Sequence, residues 1–502
     1  MAVLAACGLL SAALYPGTAP ASPAATRSAR HAAEAAVPPE LRRYYQQNLH
    51  WSRCPDTRSF QCATMKVPLD YARPGAGDIL LKVTRKKATG NGARIGSLLV
   101  NPGGPGESAI HYLVDGGADS FSPAVRASYD LVATDPRGVG DSTPVNCKSG
   151  THAIPMKFGL HPAADAAKIS TYDAEFEQVA AACARHAGQL LPHVGTLEAA
   201  RDMDVLRALL GDDRLHYVGF SYGTYLGATY ADLFPSRVGR LVLDGAVDPA
   251  LDGYRQILET AAGYQAAWKS FAADCATLTD CPLGHSVEAI SRGLDTLRRS
   301  LDRTPLRRGK DISVTGEDLI TAITTALTTP ALWKQLRAAL RGVLAGDTTA
   351  LQQLLGRGED AAGNSAYALY AVGCLSSTFA PRLTPAQARA ALPQFLRASP
   401  QFGESLVASL MLCSHWPIRP AQSAHPVTAS GASPILVVGT TRDPRTPYPW
   451  AKALARQLSS GRLLTYDADG HTAYHTGSTC IDTAIDRYLT RGQLPPTGTV
   501  CT

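Results

Sequence analysis

The 502-residue chain lacks a long run of Lys or Arg, a C-x-x-C pair and any internal repeat. Beyond residues 1–14 it also lacks an apolar stretch of the ~20 residues that a membrane-spanning helix needs. Each absence removes a class of function. The 48 Lys and Arg exceed the 42 Asp and Glu by only 6, spread thinly along the chain, which is a poor footprint for nucleic acid. The densest basic stretch, Arg298, Arg299, Arg303, Arg307, Arg308 and Lys310, reads as a solvated helix end and loop. Cysteines without ligand spacing exclude a structural zinc site. What is present, 45% hydrophobic and 18% charged residues with 44 Gly and 34 Pro, fits a folded globular chain. The length allows several domains, or one domain enlarged by an insertion.

Residues 1–14 are almost wholly apolar and small, and Ala19, Ala21, Ala24 and Ala25 follow in a Pro/Ser/Thr-rich stretch, the pattern of a secretory signal peptide. This predicts residues 1–36 as signal peptide and disordered leader, and an exported, soluble mature protein without stable membrane insertion. No Lys or Arg precedes the apolar stretch, so the translation start is a candidate for reassignment upstream. Leu4-Ala5-Ala6-Cys7 resembles a bacterial lipoprotein box, which makes a lipid anchor at Cys7 on the cell surface the alternative to Cys7 as an ordinary leader residue. Setting Cys7 aside, the 11 cysteines leave an even number, which in an exported chain suggests disulfides. Close sequential pairing predicts Cys54–Cys62, Cys147–Cys183, Cys275–Cys281, Cys374–Cys413 and Cys480–Cys501.

After about Pro39, β-branched and aliphatic runs alternate with amphipathic stretches, the order of an α/β fold. Buried strands are expected at 79–84, 96–101, 129–134, 215–220, 238–243, 434–439 and 463–466, each ending in Gly, Asp or Pro turn chemistry. Residues 251–427 lack strand-like runs and read as amphipathic helices, among them 254–273, 319–327 and 331–344. The expected organisation is a core from 37–250 and 431–502, with a helical cap at 251–430 inserted between core strands. Such an insertion is where a lid over a site is built.

Gly219-Phe220-Ser221-Tyr222-Gly223 is a G-x-S-x-G sequence that ends a strand and opens a helical pattern. A strand-to-helix turn this sharp has no room for side chains at Gly219 and Gly223, and its strain lifts the Ser221 hydroxyl into the open. A serine hydroxyl is a weak nucleophile, so a histidine must take its proton and an acid must orient that histidine. In the chain order Ser, Asp, His, the candidates are Asp443 after the strand at 434–439 and His471 after the strand at 463–466. Asp467, Asp469 and His475 are rivals. Asp469 is too near His471 to swing onto its Nδ1, Asp467 sits where it caps a turn, and His475 falls one turn later.

Acyl transfer develops an oxyanion that needs backbone N–H donors. Tyr222, the residue after the nucleophile, supplies one, and Gly104 in the loop Asn101-Pro102-Gly103-Gly104-Pro105-Gly106 supplies the other. Arg137, in Asp135-Pro136-Arg137-Gly138, reads as architecture that ties loops together. The chemistry requires no metal or organic cofactor.

With these residues, and with Leu243-Asp244-Gly245, Cys413-Ser414-His415-Trp416-Pro417 and Asp443-Pro444-Arg445-Thr446-Pro447, the chain resembles the secreted tripeptidyl and prolyl aminopeptidase branch of the α/β-hydrolase family, in the version with a TAP-like C-terminal segment. The resemblance implies a mostly parallel central sheet. It also implies a serine peptidase that removes short peptides or single residues from free N-termini with Ser221, Asp443 and His471. Thr446 matches the family pattern and would hold the acid's loop. Two positions depart from it. Glu107 stands where a small residue is usual, and either meets a substrate ammonium or basic side chain, or points to solvent or an arginine. Ser376, two residues after Cys374, stands where relatives carry an acid, which puts amine reading at that position in doubt. The same triad acting on esters or small amides is the alternative to a peptidase, and a non-catalytic binding protein is a third reading.

Overall fold

Residues 37–55, 57, 59–147, 166–308, 312–356, 364–376, 378–379 and 381–502 are described by a computed structural model, in which Glu40–Thr502 folds as one unit. The leader, with its expected cleavage positions and Cys7, and Lys310 of the basic stretch lie outside the described residues. The strands are β1 (Ser52–Arg53), β2 (Gln61–Pro68), β3 (Asp78–Lys86), β4 (Gly96–Asn101), β5 (Tyr129–Thr134), β6 (Leu215–Phe220), β7 (Val238–Asp244), β8 (Leu306–Arg308), β9 (Ile312–Val314), β10 (Ile435–Arg442), β11 (Gly461–Asp469) and β12 (Val500–Cys501). One ten-stranded sheet runs β1-β2-β3-β5-β4-β6-β7-β10-β11-β12. The pairs β1·β2, β2·β3 and β3·β5 are antiparallel, and every later pair is parallel.

This order follows from side-chain patterning. β4 and β5 are buried at every position, as continuous apolar runs must be in a parallel sheet covered on both faces. β2 alternates instead, with Ala63, Met65 and Val67 buried and Thr64 and Lys66 exposed, the pattern of an antiparallel strand with one wet face. All the expected strands form, and those of the parallel region bring the ends of β6, β10 and β11 to one edge of the sheet.

Between β7 and β10 the chain is helical, including Gly253–Ala276, Val287–Arg303, Gly316–Ala326, Trp333–Leu344, Ser365–Gly373 and Pro385–Ala398. Their starts are set by side chains: Asp252 accepts the Arg255 N–H, and Thr315 with Asp318 and Thr384 with Gln387 form capping boxes. Leu294, Leu319, Ile323, Leu336 and Leu340 are fully buried inside this insertion. The insertion also contains the antiparallel pair β8·β9, which corrects the expectation that 251–427 holds no strand. Three-residue strands carry too little periodicity to register in a sequence window.

All five expected disulfides are present, with Cα–Cα separations from 4.1 Å in Cys147–Cys183 to 5.6 Å in Cys480–Cys501. Arg137 is fully buried and forks onto both oxygens of Asp202 at 2.7 Å, while its remaining N–H groups donate to the carbonyls of Pro68, Leu69 and His193. It therefore ties the loop after β5 to the helix Thr196–Leu209 and to the loop after β2. Among the described residues no helix is long and apolar enough to cross a membrane.

Candidate active site

β6 ends at Phe220, and Ser221 turns the chain at φ +55°, ψ −124° into the helix Tyr222–Leu233. The turn has no spare room. A Cβ on Gly219 would lie 2.4 Å from the Gly223 carbonyl oxygen, and one on Gly223 would lie 2.8 Å from that of Asn101. A non-glycine residue at positive φ persists only when its surroundings hold it. Here the Ser221 N–H donates to the Asp244 carbonyl (2.9 Å), and the Ser221 carbonyl accepts the Thr224 N–H (2.9 Å) and hydroxyl (2.6 Å).

Asp443 follows β10 and is 2% exposed. Its Oδ1 accepts the N–H groups of Arg445 (2.8 Å) and Thr446 (2.9 Å), and its Oδ2 accepts the Thr446 hydroxyl (2.9 Å) and the Thr472 N–H (3.3 Å). His471 Nδ1 lies 2.9 Å from both carboxylate oxygens and 3.3 Å from Thr446 Oγ1. A carboxylate only accepts, so Nδ1 carries the proton and Nε2 presents a lone pair. Nε2 is buried without a hydrogen-bond partner, and His471 and Ser221 line the same cavity of about 250 Å³. The insertion reaches this loop: the Thr328 carbonyl accepts the His471 N–H at 2.8 Å.

The loop after β4 crosses directly over the nucleophile. A Cβ on Gly103 (φ +112°) would lie 3.0 Å from Ser221 Cβ and 3.2 Å from Tyr222 N. The Gly103 N–H is taken by Asn101 Oδ1 at 3.0 Å, and Gly104 lines the cavity. The Tyr222 side chain is buried away from the loop, its hydroxyl 2.7 Å from Thr196 Oγ1, which leaves its N–H at the first turn of the helix.

Glu107 and Arg445 are exposed on the cavity wall. The Tyr264 hydroxyl of the insertion and the Glu107 carboxylate hold the Arg445 guanidinium above its ordinary pKa, so an arginine does face Glu107. Ser376 is not part of this cavity. It lines a separate one of about 220 Å³, with its hydroxyl 3.2 Å from Tyr225 Oη. The rivals lie elsewhere: Asp467 and Asp469 pair with Arg442 at 2.8 and 3.0 Å, and the His475 ring packs 3.7 Å from that of Tyr474. Among the described residues no group of three or more side chains is arranged to hold a metal ion. Two residues near the site carry no functional signal of their own in the sequence: Arg445 lies inside the Asp443 turn, and Asp244 belongs to the Leu243-Asp244-Gly245 motif.

The TAP-like protein family matches residues 399–501. Serine protease Hip1 of Mycobacterium tuberculosis is 37% identical over 462 residues, covering 88% of this chain and 87% of that protein. Carboxylesterase B of the same organism is 36% identical, covering 89% and 87%. Tripeptidyl aminopeptidase of Streptomyces lividans is 32% identical, covering 95% and 89%. The chain is thus an α/β-hydrolase and belongs to the serine-hydrolase family that includes Hip1 and the Streptomyces tripeptidyl aminopeptidases, with a TAP-like C-terminal segment.

Proposed function

We propose that this protein is an exported serine peptidase that releases short peptides from free N-termini, with Ser221 as nucleophile, His471 as base and then acid, and Asp443 as the group that orients it. The observation that carries this reading is the Asp443–His471 pair at 2.9 Å, with the unpartnered Nε2 in one cavity with the strained Ser221. Ser221 Oγ attacks the carbonyl carbon of the scissile bond while its proton passes to Nε2. The N–H groups of Gly104 and Tyr222 receive the oxyanion. Collapse breaks the C–N bond, and His471 protonates the leaving amine. Water then attacks the acyl-enzyme by the same route, giving the free peptide acid and restoring Ser221. Thr446 supports Asp443. Glu107, on the cavity wall beside Arg445, shares its carboxylate between that guanidinium and the substrate ammonium, and the helical cap at 251–430 limits what enters. Export is supported by five disulfides, which persist in oxidising compartments.

The second reading is an esterase with the same triad, favoured by the 36% identity to a protein named carboxylesterase B. Unblocked and N-acetylated mono-, di- and tripeptide p-nitroanilides, compared with p-nitrophenyl esters, separate the two. Among the anilides the account expects release from the unblocked ones only, reduction by about 10⁴ or more in Ser221→Ala, and weakened discrimination against acetylated substrates in Glu107→Gln. Ester hydrolysis without anilide cleavage would establish the esterase.

A further inference from the structure

Asp244 occupies an unusual position between the parts of the site. It is the last residue of β7 and is fully buried. Its backbone carbonyl accepts the Ser221 N–H at 2.9 Å. Its carboxylate accepts the Ala473 N–H at 3.0 Å on each oxygen and the Tyr474 N–H at 2.8 Å, two and three residues after His471. It does not touch the imidazole, whose Nδ1 belongs to Asp443. The space between is closed: a Cβ on Gly245 would lie 3.2 Å from His471 Cε1 and 3.1 Å from Thr472 Cγ2.

We propose that Asp244 is a positioning residue that fixes the His471 loop against the nucleophile elbow, its main chain holding Ser221 and its side chain holding the segment that carries His471. The proposal rests on the triad reading above. One residue gripping both partners sets the distance between them, and proton transfer from Ser221 to His471 is sensitive to displacements of well under an ångström. A carboxylate is suited to the task because both its oxygens accept, and the loop presents the N–H groups of Ala473 and Tyr474 to it.

The groups that face Asp244 are His471 and Asp443, from the segments after β11 and β10, and Tyr112 from the helix Ala109–Tyr112. Burial pushes the Asp244 carboxyl up to about 6. Below that pH it gains a proton, one oxygen becomes a donor facing N–H groups, and the grip loosens. The acid limb of activity should then report Asp244 as well as the catalytic base.

The test uses Asp244→Asn, with kcat and KM on p-nitrophenyl acetate measured from pH 5 to 9 beside a thermal unfolding midpoint and Ser221→Ala. Both the peptidase and the esterase readings hydrolyse this ester, so the assay does not depend on choosing between them. The expected result is a fall of about tenfold or more in kcat, KM changed less than about twofold, and an acid limb with the slope of one proton where the wild type has more than one. A wild-type kcat with an unchanged acid limb overturns the proposal, as does a lowered midpoint with normal kcat per folded molecule. Should Asp244→Asn fail to fold, Asp244→Ser, which keeps one acceptor oxygen, is measured the same way, a lowered kcat at little-changed KM supporting the proposal and a wild-type kcat overturning it. Activity retained by Ser221→Ala would instead sink the triad reading beneath it.

Discussion

Thr446 joins the acid and the base through one hydroxyl. Its Oγ1 donates to Asp443 Oδ2 at 2.9 Å in a buried setting and lies 3.3 Å from His471 Nδ1. A hydrogen bond to a charged acceptor contributes about 1.5–3 kcal/mol, and its loss leaves the carboxylate freer to turn from the imidazole. Thr446→Val should therefore lower kcat by about 10- to 100-fold with little change in KM, and Thr446→Ser should recover most of the loss. Steady-state kinetics of the two variants check this, and equal losses in both would assign Thr446 to packing alone. At this scale the proposed triad of Ser221, Asp443 and His471 has a signature in the sequence, because a sharp turn and the end of each strand mark these positions locally. Arg445 and Asp244 have none. The partners of the Asp244 side chain lie more than two hundred residues away along the chain, and those of Arg445 belong to the oxyanion loop and the insertion, so no spacing in the sequence announces either.

Among the elements, the parallel strands were readable because burial on both faces demands continuous apolar runs. β2 gives no continuous apolar run because its exposed Thr64 and Lys66 interrupt it, and β1 and β12 give no signal because two residues have no period. Arg137 carries a prediction at this scale. Its charge is fully buried and its main counter-charge is Asp202, itself hydrogen-bonded by Tyr71 Oη at 2.8 Å. Removing one partner of a buried ion pair leaves the other charge uncompensated, at a cost of about 3–5 kcal/mol. Asp202→Ala should lose that much stability in urea unfolding, and a loss under ~1 kcal/mol, the range of an exposed pair, would show that the clamp is not structural. The insertion's contacts on the loops of the candidate site are equally invisible in sequence, since the Thr328 carbonyl meets His471 only once both segments are folded.

For the whole molecule, the five disulfides were predictable from close pairing along the chain, and they divide between the core and the insertion. What the folded chain adds is convergence: the loop after β4, the elbow after β6, the turn after β10 and the segment after β11 meet around one cavity, with the insertion packed against the loop after β4, the turn after β10 and the segment after β11. The central claim is that this cavity works through Ser221. Diisopropyl fluorophosphate, which phosphorylates activated serines, tests it on the intact protein when intact mass, peptide mapping and residual hydrolysis of an unblocked tripeptide p-nitroanilide are followed together. The account predicts one adduct, located on Ser221, with activity lost in proportion to its formation. An adduct on another residue, or full activity with Ser221 modified, would contradict it.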